Sequence, residues 1–203
     1  MQKPDIKQNA EQFKKLLRST EREGIENVIS HLEELGFFEA PASAGHHLNV
    51  AGGLVRHSLN VCLMAQRTKP NILLVRPDLE SSLTDTSIII ATLLHDVCKA
   101  EIYKPALKKR KTPEGLWQVC QGYDVDYSAF PMGHGEKSGI QLLRWGLQLT
   151  DDEMLAIRWH MTAWDLPFQS YEAKECLNKA KEQCPLLTLV QAGDGLASGI
   201  LEA

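Results

Sequence analysis

The stretch Ser87–Val97, SIIIATLLHDV, constrains the fold more than any other. It is apolar almost all round, so a helix there must be buried on every side. The β-branched run Ile88–Ile90 would also suit a buried strand, but length and the apolar pattern continuing through Leu94 favour helix. Yet the stretch contains a histidine and an aspartate, His95 and Asp96. A carboxylate in such surroundings is costly unless it is paired or bound to a cation. A second one, Asp194, lies inside the apolar run LVQAGDGLAS, and the obvious neighbouring bases are only Arg56 and Lys99.

The rest of the chain reads as helices around that centre. Apolar positions recur at helical spacing over 6–20 and 25–35, with Gly36 as a stop. Residues 37–46 read as a loop. A helix is expected from Asn49, as its cap, to about Arg67, with Pro70 shortly beyond its end, and the central helix from about Thr84 to Cys98. Residues 101–133 break the pattern: KKRK at 108–111, Pro113 to Gly115, then the alternating LWQVCQGYDVDY suggest a loop with a β-hairpin. Helices resume over 135–147 and 151–161, the latter opened by a capping box of Thr150 and Glu153. Two more are expected near 171–182 and 186–200, with Pro185 at a first helical position. The fold class is therefore all-α, a single helical bundle with a hairpin insertion. Residues 1–36 form N-terminal helices packed on the domain, or mediating dimer contacts, and 37–203 form the domain itself.

Composition narrows the function classes. A net charge of −4 argues against a nucleic-acid-binding surface over the whole domain, though not against a local basic patch. No stretch approaches the ~18 consecutive apolar residues of a membrane span, and the polar N-terminus lacks the apolar core of a signal peptide. No membrane association and a cytoplasmic location are expected. The five cysteines, at 62, 98, 120, 176 and 184, are odd in number and irregularly spaced, so neither a disulfide framework nor a cysteine zinc site is expected.

Seven histidines occur, and several sit beside the buried carboxylates' segments or on helices of their own. His57 is in GGLVRHSLNV, His95 in LLHDVCK, His134 in GHGEKSG and His160 in AIRWHM. A metal site explains histidines and buried aspartates together. Imidazole nitrogen and carboxylate oxygen suit zinc, manganese, iron or cobalt, not calcium, and ligands spread over separate helices are what a bundle-core site requires.

The joint pattern GGLVRHSLNV, then LLHDVCK, then Asp194 resembles the HD-domain superfamily of metal-dependent phosphohydrolases over about residues 46–199. The segment HHLNVAGGLVRH is similar to the opening of the HD domain in bacterial 3′–5′ exoribonucleases of the YhaM type. GHGEKSG and AIRWHM resemble segments of uncharacterised bacterial HD proteins. The resemblance implies that His57, His95, Asp96 and Asp194 hold a first metal, that His134 and His160 supply a second, and that Asp96 bridges the two. It places Lys99 where many members carry a lysine after the HD pair. The frequent H-D-x-G-K form is broken here by Cys98 in place of glycine, a change expected to touch packing or redox sensitivity but not the ligands. The cofactors implied are one or two divalent ions among Mn, Fe, Zn, Co, Ni and Mg.

The reaction expected is hydrolysis of a phosphate ester or anhydride by metal-activated water. Asp96 and Lys99 are the expected catalytic residues, and Arg56, Lys137 and Arg158 are candidates to grip phosphate. His46 or His47 could touch substrate, and His31 reads as inert. The 101–133 insertion is a candidate lid, with Lys108, Lys109, Arg110 and Lys111 attracting phosphate and Tyr103, Trp117, Tyr123 and Tyr127 stacking or closing a pocket. The leading partner is a phosphorylated, nucleotide-like small molecule. RNA or single-stranded DNA, cut by an exonuclease, is the close competitor, and a non-catalytic nucleotide-sensing module is a third reading.

Overall fold

In a computed structural model, which describes residues 4–167 and 170–203, the run that looked most buried is the centre of the molecule. The elements in order are α1 (Ile6–Arg18), α2 (Ile25–Glu34), α3 (Gly53–Val75), α4 (Asp85–Leu94), α5 (Lys99–Ile102), β1 (Tyr103–Lys111), β2 (Trp117–Val125), α6 (His134–Arg144), α7 (Asp151–Trp159), α8 (Tyr171–Gln183) and α9 (Pro185–Leu196). Helices carry the structure, and one antiparallel hairpin is inserted among them.

Every residue of α4 from Ile88 to Leu94 is buried. Thr84 caps the helix, its hydroxyl accepting from the Ser87 amide at 3.1 Å. The helix stops at Leu94, short of the expected Cys98. The His95 ring nitrogen Nδ1 donates to the Thr92 carbonyl at 2.7 Å, taking the acceptor that would continue the ladder. The chain turns over residues 95–98 and enters α5. This exit lets adjacent residues, His95 and Asp96, turn towards one place.

Helix α3 differs from expectation at both ends. It begins at Gly53 rather than Asn49, because residues 48–52 fold into a turn in which Gly53 N–H donates to the Val50 carbonyl. It then runs through Pro70, whose ring leaves the Gln66 carbonyl without its helical donor, a defect costing about 3 kcal/mol. Beyond it, Ile72 and Leu73 pack against the core and carry the helix on to Val75.

Helix α3 lies against α9, α4 and α1, while α7 packs on α4, α6 and α9. The N-terminal helices belong to the same core. Phe13 and Leu17 of α1 and Val28 and Leu32 of α2 are fully buried in it. Phe13 meets Phe37 and Phe38 at centroid distances of 5.2 and 5.6 Å. The capping box of α7 forms as expected. Glu153 also takes a two-pronged ion pair from Arg22, both contacts at 2.8 Å, and accepts from the Ser87 hydroxyl at 2.8 Å. One buried carboxylate thus ties α7, α4 and the segment after α1. Among the described residues, no single helix is long and apolar enough to cross a membrane.

Candidate metal centre

Two close helix approaches bring the polar side chains together, and both depend on glycine. A Cβ at Gly193 of α9 would lie 3.0 Å from the Val61 carbonyl oxygen of α3. This approach puts Asp194 Oδ1 at 3.3 Å from His57 Nε2. At Gly135 of α6 a Cβ would lie 2.3 Å from the Arg158 carbonyl oxygen of α7. There His134 and His160, at the N-terminus of α6 and just past α7, bring their Nε2 atoms to 3.2 Å.

Asp96 sits between these two approaches. Its Oδ2 lies 3.1 Å from His95 Nε2 and 3.7 Å from His57 Nε2. Its Oδ1 lies 3.5 Å from both His134 Nε2 and His160 Nε2. The donors fall into two groups, His57–His95–Asp96 and Asp96–His134–His160, each within 4.8 Å and each able to hold a metal ion. All six residues expected as ligands are therefore close neighbours, with Asp194 attached through His57. Donors at right angles around an ion with bonds near 2.1 Å stand roughly 3 Å apart. The shorter of these separations match that spacing.

The outer nitrogens of three imidazoles are already committed. His95 Nδ1 donates to Thr92, and His160 Nδ1 to the Ile157 carbonyl at 2.8 Å. His57 Nδ1 donates to Glu202 Oε2 at 3.0 Å, and Asn60 donates to Glu202 Oε1 at 2.9 Å. With Nδ1 protonated, the neutral form of each ring turns its Nε2 lone pair inward, the arrangement that orients metal-bound histidines. Inside the centre, His95 Nε2 and Asp96 Oδ1 are buried and lack a hydrogen-bond partner. Orphaned acceptors of this kind fit a cation.

The charges are strongly coupled. Burial alone would raise Asp96, but Lys99, at 2.6 Å from Oδ2, and His95 hold it well below the usual carboxylate range. Burial opposes charge on His57, yet Asp194 and Glu202 on either side lift it to about 9. Asp194 falls in return, against burial, through His57. Burial pushes His134 down to about 3, although Asp96 acts the other way.

No protein-family model, no curated protein and no solved structure matches this chain. The donor set itself, four imidazoles and two aspartates, is suited to mid-row divalent ions rather than calcium.

The expected phosphate grips fare unevenly. Lys99 is in the centre. Lys137 is buried, paired with Glu101 at 2.8 Å and donating to the Ala129 carbonyl, so its charge is already spent inside the fold. Arg158 pairs with Asp165 at 2.7 Å and stacks on Trp159. Arg56 points from the exposed side of α3 into a cavity of about 610 Å³ with Asn9, Asn60 and Glu202, behind His57 rather than in front of it. Of the two loop histidines, His47 packs on His57 at a centroid distance of 4.9 Å, and His46 is exposed. His31, expected to be inert, stacks on Trp145.

Glu202 is the residue that sequence reasoning missed. After α9 the chain makes a wide turn over Ala197–Leu201 and returns Glu202 to α3, where it is 4% exposed and joins His47 and His57 in a third group of metal-capable donors. Its hold on His57 Nδ1 makes it a support for the first group. Cys98 is buried, donates to the His134 carbonyl, and is pushed up to about 12 by burial, so it packs rather than reacts.

Proposed function

We propose that this chain is a metal-dependent phosphohydrolase of the HD-domain type, holding two divalent ions and acting on a nucleotide-like phosphate ester or anhydride. One observation carries the reading: the two oxygens of Asp96 face different imidazole pairs, so this one carboxylate would serve both groups of donors. His57, His95, Asp96 and Asp194 are the residues for one ion, and Asp96, His134 and His160 for the other. Such ions supply an acidified water at neutral pH and positive charge against phosphoryl oxygens.

The protein's own part is to hold and shield. The backbone carbonyls of Thr92 and Ile157 and the carboxylate of Glu202 fix three imidazoles in the tautomer that presents Nε2. Burial of His57, His95, Asp96 and His160 keeps bulk water from the donors, which strengthens every charge interaction there. Lys99, paired with Asp96 at 2.6 Å, is the cation of the centre that would meet a phosphoryl oxygen once Asp96 turned to an ion.

The test is metal analysis of protein purified without chelator, paired with hydrolysis of bis(p-nitrophenyl) phosphate and nucleotides in Mn²⁺. Two ions per chain are expected, falling to one in a His134→Ala/His160→Ala double variant. Asp96→Asn should lose both ions and roughly 10³-fold in turnover. A folded Asp96→Asn protein that turns over like wild type overturns the reading. Nucleotide binding without turnover in any metal would favour a sensor.

A further inference from the structure

The β1–β2 hairpin is unusual for its exposure. Its principal contact with the body is α5, at its base. Beyond that base large apolar side chains stand in solvent: Leu107 is 70% exposed, Trp117 67% and Val119 56%. A two-stranded hairpin in water is marginal by itself, and grouped exposed apolar residues mark an interaction surface.

The register separates its two faces. Directly paired residues share a face, and alternate residues along a strand share it too. Pairing of Tyr103 with Val125, Pro105 with Tyr123, Leu107 with Gln121, Lys109 with Val119 and Lys111 with Trp117 therefore puts three aromatics and two lysines on one side. Lys111 already sits over the Trp117 ring at 5.4 Å. On the other face Lys108 is occupied by Asp124. The hairpin strands are basic although the chain is acidic overall: Lys104, Lys108, Lys109, Arg110 and Lys111 stand against Asp124.

This face begins beside the metal centre in the chain. Lys99 opens α5 and Tyr103 follows it at the start of β1. Lys99 Nζ lies 2.6 Å from Asp96 Oδ2, so a cation of the centre stands at the base of the hairpin. A polymer entering at Lys99 would meet Tyr103, then Tyr123, then Lys109, Lys111 and Trp117 at the tip. Two nine-residue strands give this path a length of roughly 30 Å. Flat rings for bases alternating with cations for phosphates are what an unpaired strand requires, whereas a duplex hides its base faces.

We propose that the Tyr103–Trp117 face of the hairpin is a track for single-stranded nucleic acid leading from the metal centre. This assigns the substrate class of that centre and rests on the phosphohydrolase reading for its chemistry, but not for its binding.

Binding is therefore measured in EDTA, by fluorescence anisotropy of a fluorescein-labelled ten-nucleotide oligouridylate across a salt series. Wild type should bind, more weakly as salt rises. Trp117→Ala should weaken binding by roughly five- to 150-fold, the scale of one lost stacking contact. Lys109→Gln/Lys111→Gln should flatten the slope of log K against log salt by about 1.4, two single-strand phosphate contacts. The melting temperatures of both variants should match wild type, since these side chains are exposed. Absence of binding at 50 mM salt overturns the proposal. So does Trp117→Ala binding like wild type, or equal binding of polyglutamate or of a duplex. Binding by a protein without hydrolytic activity would sink the catalytic reading and leave the track standing.

Discussion

Replacing Glu202 by glutamine changes one atom pair and should cost the centre its first metal. Glu202 presents Oε2 to His57 Nδ1 at 3.0 Å and Oε1 to Asn60 Nδ2 at 2.9 Å. Both partners are donors, so the site needs two acceptor oxygens. Glutamine offers one. If its oxygen stays on Asn60, its NH₂ faces His57 and forces Nδ1 to become the acceptor. The proton then moves to Nε2, the nitrogen 3.3 Å from Asp194 and 3.7 Å from Asp96, and a protonated nitrogen binds no metal. If its oxygen turns to His57, two NH₂ groups face each other, and Asn60 must turn its amide over to relieve them. Loss of such a supporting carboxylate typically lowers metal affinity 10- to 100-fold, or about 1.4–2.7 kcal/mol. Competition for Mn²⁺ against a fluorescent chelator measures the change. The first ion should weaken and the second, held by His134 and His160, should not. Wild-type affinity at both sites in a folded Glu202→Gln protein would refute the assignment of Glu202 as the support of His57.

Three other outcomes follow from the geometry. In metal-stripped protein His57 is raised from 6.5 to about 9, so its stabilisation is whole below pH 6.5 and lost as pH rises through about 9. Urea unfolding in EDTA should show a fall of up to about 3 kcal/mol across that window, while metal-loaded protein, whose imidazole is already deprotonated, should lack this fall; identical profiles would contradict it. Gly135→Ala places a methyl 2.3 Å from the Arg158 carbonyl, and should cost about 1–3 kcal/mol and release the second ion first. An unchanged melting temperature with two ions bound would count against the α6–α7 approach as what positions His134 and His160. Glu153→Ala leaves Arg22 without its two-pronged partner and should destabilise by roughly 3 kcal/mol in urea, the low end for a buried pair because Arg22 keeps some solvent contact; a loss under about 1 kcal/mol would show that Arg22 finds water instead.

The legible parts of this molecule are those where one residue type is costly in its local setting. Asp96 and Asp194 lie in apolar runs, and that cost pointed to the centre before any geometry. Thr150 and Glu153 read as a cap because the motif is local. What stayed hidden depends on chain direction over long separations. Glu202 meets His57 only because α9 and the turn after it carry the chain back to α3, and no local pattern signals that. Lys137 and Arg158 stood as candidates to grip phosphate because Glu101 and Asp165 lie outside their helices; folding supplies those partners and engages both charges. Pro70 read as a boundary, but packing of Ile72 and Leu73 outweighs its missing hydrogen bond.

Charge balance joins the centre's two apparent oddities, a lysine on the bridging carboxylate and a charged histidine at a ligand position. Without an ion, Asp96, Asp194 and Glu202 stand against His57 in its protonated form and Lys99. Two buried carboxylates and a third that keeps some solvent contact, facing two positive charges, leave a small negative excess, tolerable only because each contact is short. A divalent ion among His57, His95 and Asp96 competes with both cations. To hold such an ion His57 would have to give up its proton, and Asp96 Oδ2 would have to leave the Lys99 ammonium now 2.6 Å away. Under the two-ion reading the same three carboxylates would be outweighed, and the sign of the centre would reverse. Lys99, freed from Asp96 but still anchored three residues along the chain, would then be open to another anion. Under the phosphohydrolase reading that anion would be the substrate phosphate, and loading the metal and preparing the lysine would be one event.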